Sequence, residues 1–173
     1  MNITSRFNHS IKNTLLTCMV FFIACQGEDI SSNNGYEIYC VENAEAKLLN
    51  RRFDEIQLPD TPMISMNDIA SYEWEKHMIS LTSDARKRIN GVIGVNILSY
   101  SGRTFVVSLN RKPIYGGYFW STFDSRAYVA MGSINTQSLK GGIFEIPCVP
   151  IYDDSINYFE IYDFLKSHNK IYE

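Results

Sequence analysis

Residues 104–121 read Thr-Phe-Val-Val-Ser-Leu-Asn-Arg-Lys-Pro-Ile-Tyr-Gly-Gly-Tyr-Phe-Trp-Ser. β-branched and aromatic residues dominate both ends of this stretch, and such residues fit the pleated surface of a strand. The polar segment 110–113 between them predicts a turn, so residues 114–121 return beside 104–109 as a hairpin. The glycine pair at 116 and 117 predicts a β-bulge in the returning strand.

Further strands and helices are predicted on both sides of this hairpin. Strands are expected at 36–41, within 69–81 with an interruption near Glu75 and Lys76, at 127–134 and at 143–146. A short helix is expected within 42–53, and longer helices follow the capping clusters 82–84 and 153–155, over 83–93 and 156–167. This order predicts an α+β fold, in which an antiparallel sheet with a β-α-β-β core carries helices packed on one face.

The first 24 residues have the composition of a secretory signal peptide. Arg6 and Lys12 form a basic head, and an apolar run from Leu15 to Ala24 follows it. The run has about half of the roughly 20 residues that a membrane-spanning helix needs, so it can start translocation without remaining as a span.

The apolar run ends in Phe22-Ile23-Ala24-Cys25, which resembles the lipobox of bacterial lipoproteins, although Phe22 stands where leucine is usual. The resemblance implies cleavage before Cys25 and attachment of two or three fatty acyl chains, such as palmitate, which together hold a protein firmly to a membrane. Residues 25–34 would then form a flexible tether. The expected location is the bacterial cell envelope, at the outer membrane, facing the periplasm or the surface. An ordinary signal peptide and a buried apolar helix are the alternatives.

Composition limits the remaining chain to one domain. Cleavage leaves 149 of the 173 residues, with residues 35–173 forming the folded body. The leader carries two basic and no acidic residues, so its removal changes the formal charge from −3 to −5. The sequence has no basic patch of the kind that binds nucleic acid. It also has no cofactor motif and no cluster of metal ligands.

Four cysteines are present, and their positions favour different fates. Cys18 leaves with the leader and Cys25 becomes the lipid anchor. Cys40 and Cys148 remain, and in an oxidising compartment they are expected to form a disulfide that joins the first strand to the last. Two free thiols packed like small apolar side chains are the alternative.

The residues that could perform catalysis lack a supporting motif. His77 and His168 are the histidines outside the leader, and no Gly-x-Ser-x-Gly sequence accompanies them. Asp68, Glu73 and Glu75 lie close in sequence, as glycosidase carboxylates can, but a charged sheet face explains them equally well. The sequence therefore identifies no catalytic residue.

Aromatic residues provide the candidate binding surface. Tyr118 and Trp120 share one face of the returning hairpin strand, because side chains alternate along a strand. If that face is open to solvent, its rings beside the turn would suit recognition of a protein, peptide or glycan. The predicted surface comprises Tyr115, Tyr118, Trp120, Arg111 and Lys112. The alternative is that both faces of the strand are covered.

Two family resemblances concern the segment 62–134. The residues 62–65, 68–69, 71–72, 77–81, 105–107 and 114–120 are similar to small uncharacterised bacterial lipoproteins, a group that implies no activity. The order of strand, helix and tight hairpin resembles, more loosely, the periplasmic head of the SecD translocase subunit. That resemblance implies a β-α-β-β fold, but fold does not imply activity, and the sequence lacks the translocase's membrane helices.

These observations favour a lipid-anchored, non-enzymatic binding or accessory module of the bacterial envelope. Its expected partners are the membrane, through the lipid on Cys25, and a protein, peptide or glycan. An envelope hydrolase with an unrecognised active site and an inhibitor or immunity-type partner protein are the alternatives.

Overall fold

A computed structural model of the chain describes residues 35–50, 52–93, 100–122, 132–146 and 158–172. These residues all belong to one unit, which extends from Ser32 to Glu173. The predicted signal peptide (1–24) and tether (25–34), with Cys25, lie outside the described residues.

The described chain contains eight strands, four α-helices and two short 3-10 helices. The strands are β1 (Tyr36–Val41), β2 (Ile69–Glu73), β3 (Met78–Leu81), β4 (Thr104–Leu109), β5 (Lys112–Trp120), β6 (Gly132–Asn135), β7 (Ile143–Glu145) and β8 (Ile171–Tyr172). The helices are α1 (Glu45–Leu49), α2 (Ser83–Ile93), α3 (Thr136–Gly141) and α4 (Tyr158–Ser167). The 3-10 helices cover Phe53–Glu55 and Met66–Asp68.

The strands form two sheets of four, which confirms the α+β class and corrects the prediction of a single antiparallel sheet. We call β1-β4-β5-β6 the first sheet and β7-β3-β2-β8 the second sheet. Each is mixed, because β5 pairs with β6 in parallel, as β2 does with β8, while the other pairs are antiparallel. The order β3-α2-β4-β5 follows the predicted β-α-β-β sequence, but β3 pairs with β2 and β7 in the second sheet.

The central hairpin forms where the sequence predicts it. Its turn has φ angles of 52° at Asn110 and 60° at Arg111, and positive values at both positions match the tight turn that suits the twist of paired strands. The register shifts between Val107 and Ser108, so the predicted bulge at the glycine pair is wrong. The glycines serve close packing instead, since a Cβ atom on Gly117 would lie 2.0 Å from the carbonyl oxygen of Gly132 in β6.

The first sheet is buried on both faces. One face contributes Ile38, Phe105 and Phe119 to the main core, and each of these side chains is fully buried. The opposite face contributes Tyr39 and Val106 to a second, smaller core. That smaller core is closed by side chains from the N-cap of α1, from α1 and from the segment after it, namely Ala44, Leu48, Phe53, Ile56 and Leu58.

The second sheet is buried on one face only. Its inner side chains include Tyr72, Ile79 and Phe144, which pack in the main core. Ile143 and Tyr172 point to the other face and are 57% and 67% exposed. The helices complete the main core through residues that recur at helical spacing, namely Ile89 and Ile93 of α2, Leu139 of α3, and Ile161 and Leu165 of α4.

Helix ends follow local capping rules. The Asn135 Oδ1 atom accepts hydrogen bonds from the backbone N–H groups of Gln137 at 2.8 Å and Ser138 at 3.3 Å, and so begins α3. The Thr82 Oγ1 atom accepts the Ala85 N–H at 3.3 Å at the start of α2. Within the described ranges, none of the helices has the length and apolar character required to cross a bilayer.

Candidate functional site

The structure does not expose the ring surface predicted on β5. Tyr115 faces the main core and is 2% exposed, while Tyr118 lies on the opposite face and is 6% exposed. Trp120, at the end of the strand, keeps part of its surface accessible. The prediction of exposed rings at Tyr115 and Tyr118 is therefore wrong, because the first sheet is covered on both faces.

Arg111 is a structural residue rather than a free binding group. Its guanidinium donates hydrogen bonds to the carbonyl oxygens of Pro59 at 3.2 Å and Asp60 at 3.3 Å. It also lies 5.9 Å from the ring centroid of Tyr39. These contacts connect the hairpin turn to the 59–60 loop, and they give a reason for a large side chain at a position with positive φ. Lys112, the next predicted binding residue, is exposed.

A different group of rings lies at the turn between β2 and β3. Trp74 is at its centre, with ring centroids 5.0 Å from Tyr162 of α4, 5.6 Å from Tyr72 and 5.9 Å from His77. We call these four residues the Trp74 cluster. Tyr72 is buried at 2% exposure, whereas the other three are partly exposed. The cluster is therefore a ring surface fixed to the core at one side and open to solvent at the other.

The backbone fixes the turn that carries Trp74. His77 adopts a φ of 53°, and its N–H donates to the Trp74 carbonyl at 3.2 Å, which closes the turn. The His77 carbonyl accepts the Ile146 N–H at 2.8 Å, so the same residue attaches the turn to the chain beyond β7. Because both backbone groups are used, the indole is presented from a rigid position.

Polar groups accompany the rings. The Tyr72 hydroxyl lies 3.4 Å from His77 Nδ1. Burial lowers the pKa of His77, and the nearby Glu145 carboxylate opposes that shift only in part, so the imidazole is neutral at pH 7. Lys166 Nζ donates to the Tyr162 hydroxyl at 3.2 Å and lies 5.1 Å from the centroid of that ring.

The indole nitrogen of Trp74 differs from the other polar groups of the cluster. It makes no hydrogen bond to any part of the chain that the structure describes, and it is not among the buried polar atoms that lack a partner there. The N–H is consequently accessible to solvent. Since an indole N–H is a donor only, it can serve an acceptor on a ligand.

The predicted carboxylates occupy separate positions. Asp68 precedes β2, where it accepts hydrogen bonds from the Ser65 backbone at 2.8 Å and the Ser65 hydroxyl at 2.9 Å, and it pairs with Arg88 at 2.6 Å. Glu73 ends the same strand and forms an ion pair with Lys76. Five residues of extended chain place the Cα atoms of the two roughly 16 Å apart, whereas glycosidase carboxylates lie roughly 5–10 Å apart, and each of the two carboxylates is held by its own cation.

His168 lies beside Ser167 at the end of α4, and its hydrogen bonds describe a helix end. Its Nδ1 atom is 3.1 Å from the Ser167 hydroxyl and 2.8 Å from the Phe164 carbonyl, which also accepts the Ser167 hydroxyl at 2.8 Å. A carbonyl oxygen accepts only, so Nδ1 carries a proton and cannot act as a base toward Ser167. The imidazole also stacks on the Phe164 ring at 4.3 Å.

The structure describes one of the two cysteines expected to form a disulfide, and it allows a search for metal-binding groups among the described residues. Cys40 is half-buried and forms no disulfide with a described residue, and burial raises the pKa of its thiol. Cys148 lies outside the described residues, so a pairing of Cys40 with Cys148 stays a prediction. Among the described residues, no group of three or more His, Cys, Asp or Glu side chains is placed to hold a metal ion.

Comparison of the chain with protein-family models, with curated proteins and with solved structures found no match. The resemblances to small bacterial lipoproteins and to the SecD head therefore stay predictions.

Proposed function

We propose that this protein is a lipid-anchored, non-enzymatic binding module of the bacterial envelope, and that the Trp74 cluster is its recognition surface. The observation that carries the binding role is a partly exposed indole held by three neighbouring rings. Aromatic side chains contribute large contact areas with few rotatable bonds, which is why they dominate recognition surfaces. A ring that is already immobilised loses little conformational entropy when it binds.

The anchor is supported by the residues before the described region. An apolar run from Leu15 to Ala24 ends directly before Cys25, and polar residues resume at Gln26. Acylation at Cys25 would attach the body that carries Trp74 to a membrane through residues 25–34. A module held at a surface gains effective concentration toward partners in the same compartment, so even a small recognition surface can be useful.

Capture of partners by the intact protein tests the binding role. Wild type and Trp74→Ala, each purified with its native N-terminus, are used as baits on envelope extracts. We expect a partner that wild type retains and the variant loses, while Trp120→Phe, which alters the other tryptophan, retains it. Equal capture by wild type and Trp74→Ala would contradict the assignment of the surface.

Mass spectrometry of the purified protein tests the anchor separately. We expect a mature chain that begins at Cys25 and carries the added mass of two or three acyl chains. Cys25→Ala should remain unacylated and leave the membrane fraction. A wild-type chain that keeps residues 1–24 without lipid would contradict the anchor and leave the binding role untouched.

A further inference from the structure

The Trp74 cluster offers little area. Tyr72 is almost fully buried, and Trp74, His77 and Tyr162 are each only partly exposed. A stable protein–protein interface needs about 800 Å² on each partner, which is far more than these four side chains expose. Phe159, which is 78% exposed, adds a third open ring on the same face of α4 as Tyr162. The surface is therefore a narrow group of rings that suits a narrow ligand.

Two of the charges near the rings are paired, and the exposed Glu75 carboxylate beside Trp74 adds a negative charge. Glu73 and Lys76 neutralise each other in an ion pair beside Trp74. His77 is uncharged at neutral pH, and Lys166 is engaged with Tyr162. An anionic ligand would be repelled by Glu75, and a charge of either sign would lose hydration where it is buried against the rings, which is unfavourable. An uncharged ligand meets neither penalty.

The available polar groups favour a ligand with hydroxyl groups. The Trp74 N–H needs an acceptor. The exposed Glu75 carboxylate, next to Trp74, needs donors. A hydroxyl group can satisfy either requirement, because it both donates and accepts. The π-face of an aromatic ring is negative, so it attracts the slightly positive C–H groups that cover one face of a sugar ring.

We infer that the Trp74 cluster binds an uncharged oligosaccharide, with sugar C–H faces against Trp74, Tyr162 and Phe159 and sugar hydroxyls at the Trp74 N–H and Glu75. This inference rests on the proposed binding function and specifies its ligand class. The lipid anchor then holds a glycan-binding surface at the membrane.

Fluorescence of the intact protein provides the test. The chain has two tryptophans, so Trp120→Phe leaves Trp74 as the sole indole reporter. This variant is titrated with chitotetraose, cellotetraose and maltotetraose. We expect a saturable blue shift with at least one of them, at a dissociation constant on the order of 1 mM or tighter. Calorimetry with wild type should give the same constant.

Two variants connect the signal to the rings. Phe159→Ala removes a side chain that is 78% exposed, so it should fold normally and weaken binding about two- to tenfold. Trp74→Phe keeps an aromatic ring but loses the N–H, and calorimetry should show a similar or larger loss. Tyr172→Ala, which removes a 67% exposed ring on the outer face of the second sheet, should bind as wild type does.

Three outcomes would overturn the inference. The first is the absence of a blue shift with all three oligosaccharides, together with Trp74-dependent capture of a protein. In that case the proposed function stands and its ligand is a protein. The second is a blue shift with phosphatidylglycerol vesicles and none with the sugars, which would make the bilayer the occupant. The third is failure of both sugar binding and Trp74-dependent capture, which would remove the proposed surface as well.

Discussion

The two sheets of this protein differ in the number of faces that are buried. In β4 of the first sheet, Phe105, Val106 and Val107 are all fully buried, so consecutive side chains enter two different cores. In β7 of the second sheet, Phe144 is fully buried and its neighbour Ile143 is 57% exposed. The comparison shows where rings remain accessible: the first sheet is buried on both faces apart from Trp120 at the end of β5, and the turn of the second sheet carries the partly exposed Trp74 and His77.

The largest predicted effects come from truncating adjacent residues in each sheet. Phe144→Ala should lower the free energy of unfolding by about 3–5 kcal/mol, whereas Ile143→Ala should change it by less than about 0.5 kcal/mol. In the first sheet both Val106→Ala and Val107→Ala should cost about 1–3 kcal/mol. Urea unfolding followed by circular dichroism measures all four. Equal tolerance at Val106 and Ile143 would break the distinction between the sheets.

A glycine substitution tests how closely the strands of the first sheet approach. A Cβ atom on Gly117 would lie 2.0 Å from a backbone oxygen of β6, so Gly117→Ala must move a strand and should cost about 1–3 kcal/mol or more. Gly91 of α2 has no atom within 4 Å of the same added carbon. As the matched control, Gly91→Ala should stabilise by about 0.5–1 kcal/mol. If thermal unfolding shows that both variants are equally stable, β5 and β6 are further apart than described.

The smaller core beside the first sheet predicts alkaline sensitivity. Burial, supported by a hydrogen bond to Glu37 at 2.9 Å, raises the pKa of Tyr39 from 10.0 to about 12. A raised pKa means that the folded protein holds this proton more tightly than the unfolded chain does. The associated stability is thus complete below pH 10 and is lost as pH rises toward 12. Between these limits wild type should lose about 1–2 kcal/mol more than Tyr39→Phe, measured by urea unfolding across that range.

The second sheet predicts a weaker sensitivity to acid. Burial lowers the pKa of His77 below 6.5, so the folded state favours the neutral imidazole. The associated stability is complete above pH 6.5 and is lost as pH falls through the lowered pKa. His77→Asn, which tolerates the positive φ, should remove this dependence, at a scale of less than about 1 kcal/mol. Identical acid unfolding of the two proteins would place the imidazole in a fully solvated position.

Most strands and helices were predictable because their signals are local, whereas the short α3 was not predicted. The strand-forming residues of β1, the capping cluster before α2 and the turn between β4 and β5 each lie within a few residues. The division into two sheets was not predictable, since β3 selects its partners by packing with β7, more than sixty residues away. The two-residue β8 gives no recognisable pattern. For β6, only Gly132–Asn135 is described, and the remainder of the predicted strand at 127–131 lies outside the described residues.

The candidate site was missed for a similar reason. Trp74 and Tyr72 belong to a predicted strand segment, but the ring that completes the cluster is Tyr162, almost ninety residues later. A continuous apolar run in a strand is typical of burial on both faces, so the run Phe105-Val106-Val107 indicated that both faces of its sheet are covered. The predicted surface followed the alternation of aromatic residues along β5 instead of that indication.

The pairing of β8 with β2 has a practical consequence for the durability of the protein. β2 lies inside its sheet only because Ile171 and Tyr172 run beside it and the Lys170 carbonyl oxygen accepts the Tyr72 N–H at 2.7 Å. A protease that cuts near Asn169 would release this short cover and leave one side of β2 as a bare row of amides and carbonyls. Such rows recruit strands from other molecules, so a clipped population should form soluble aggregates during storage.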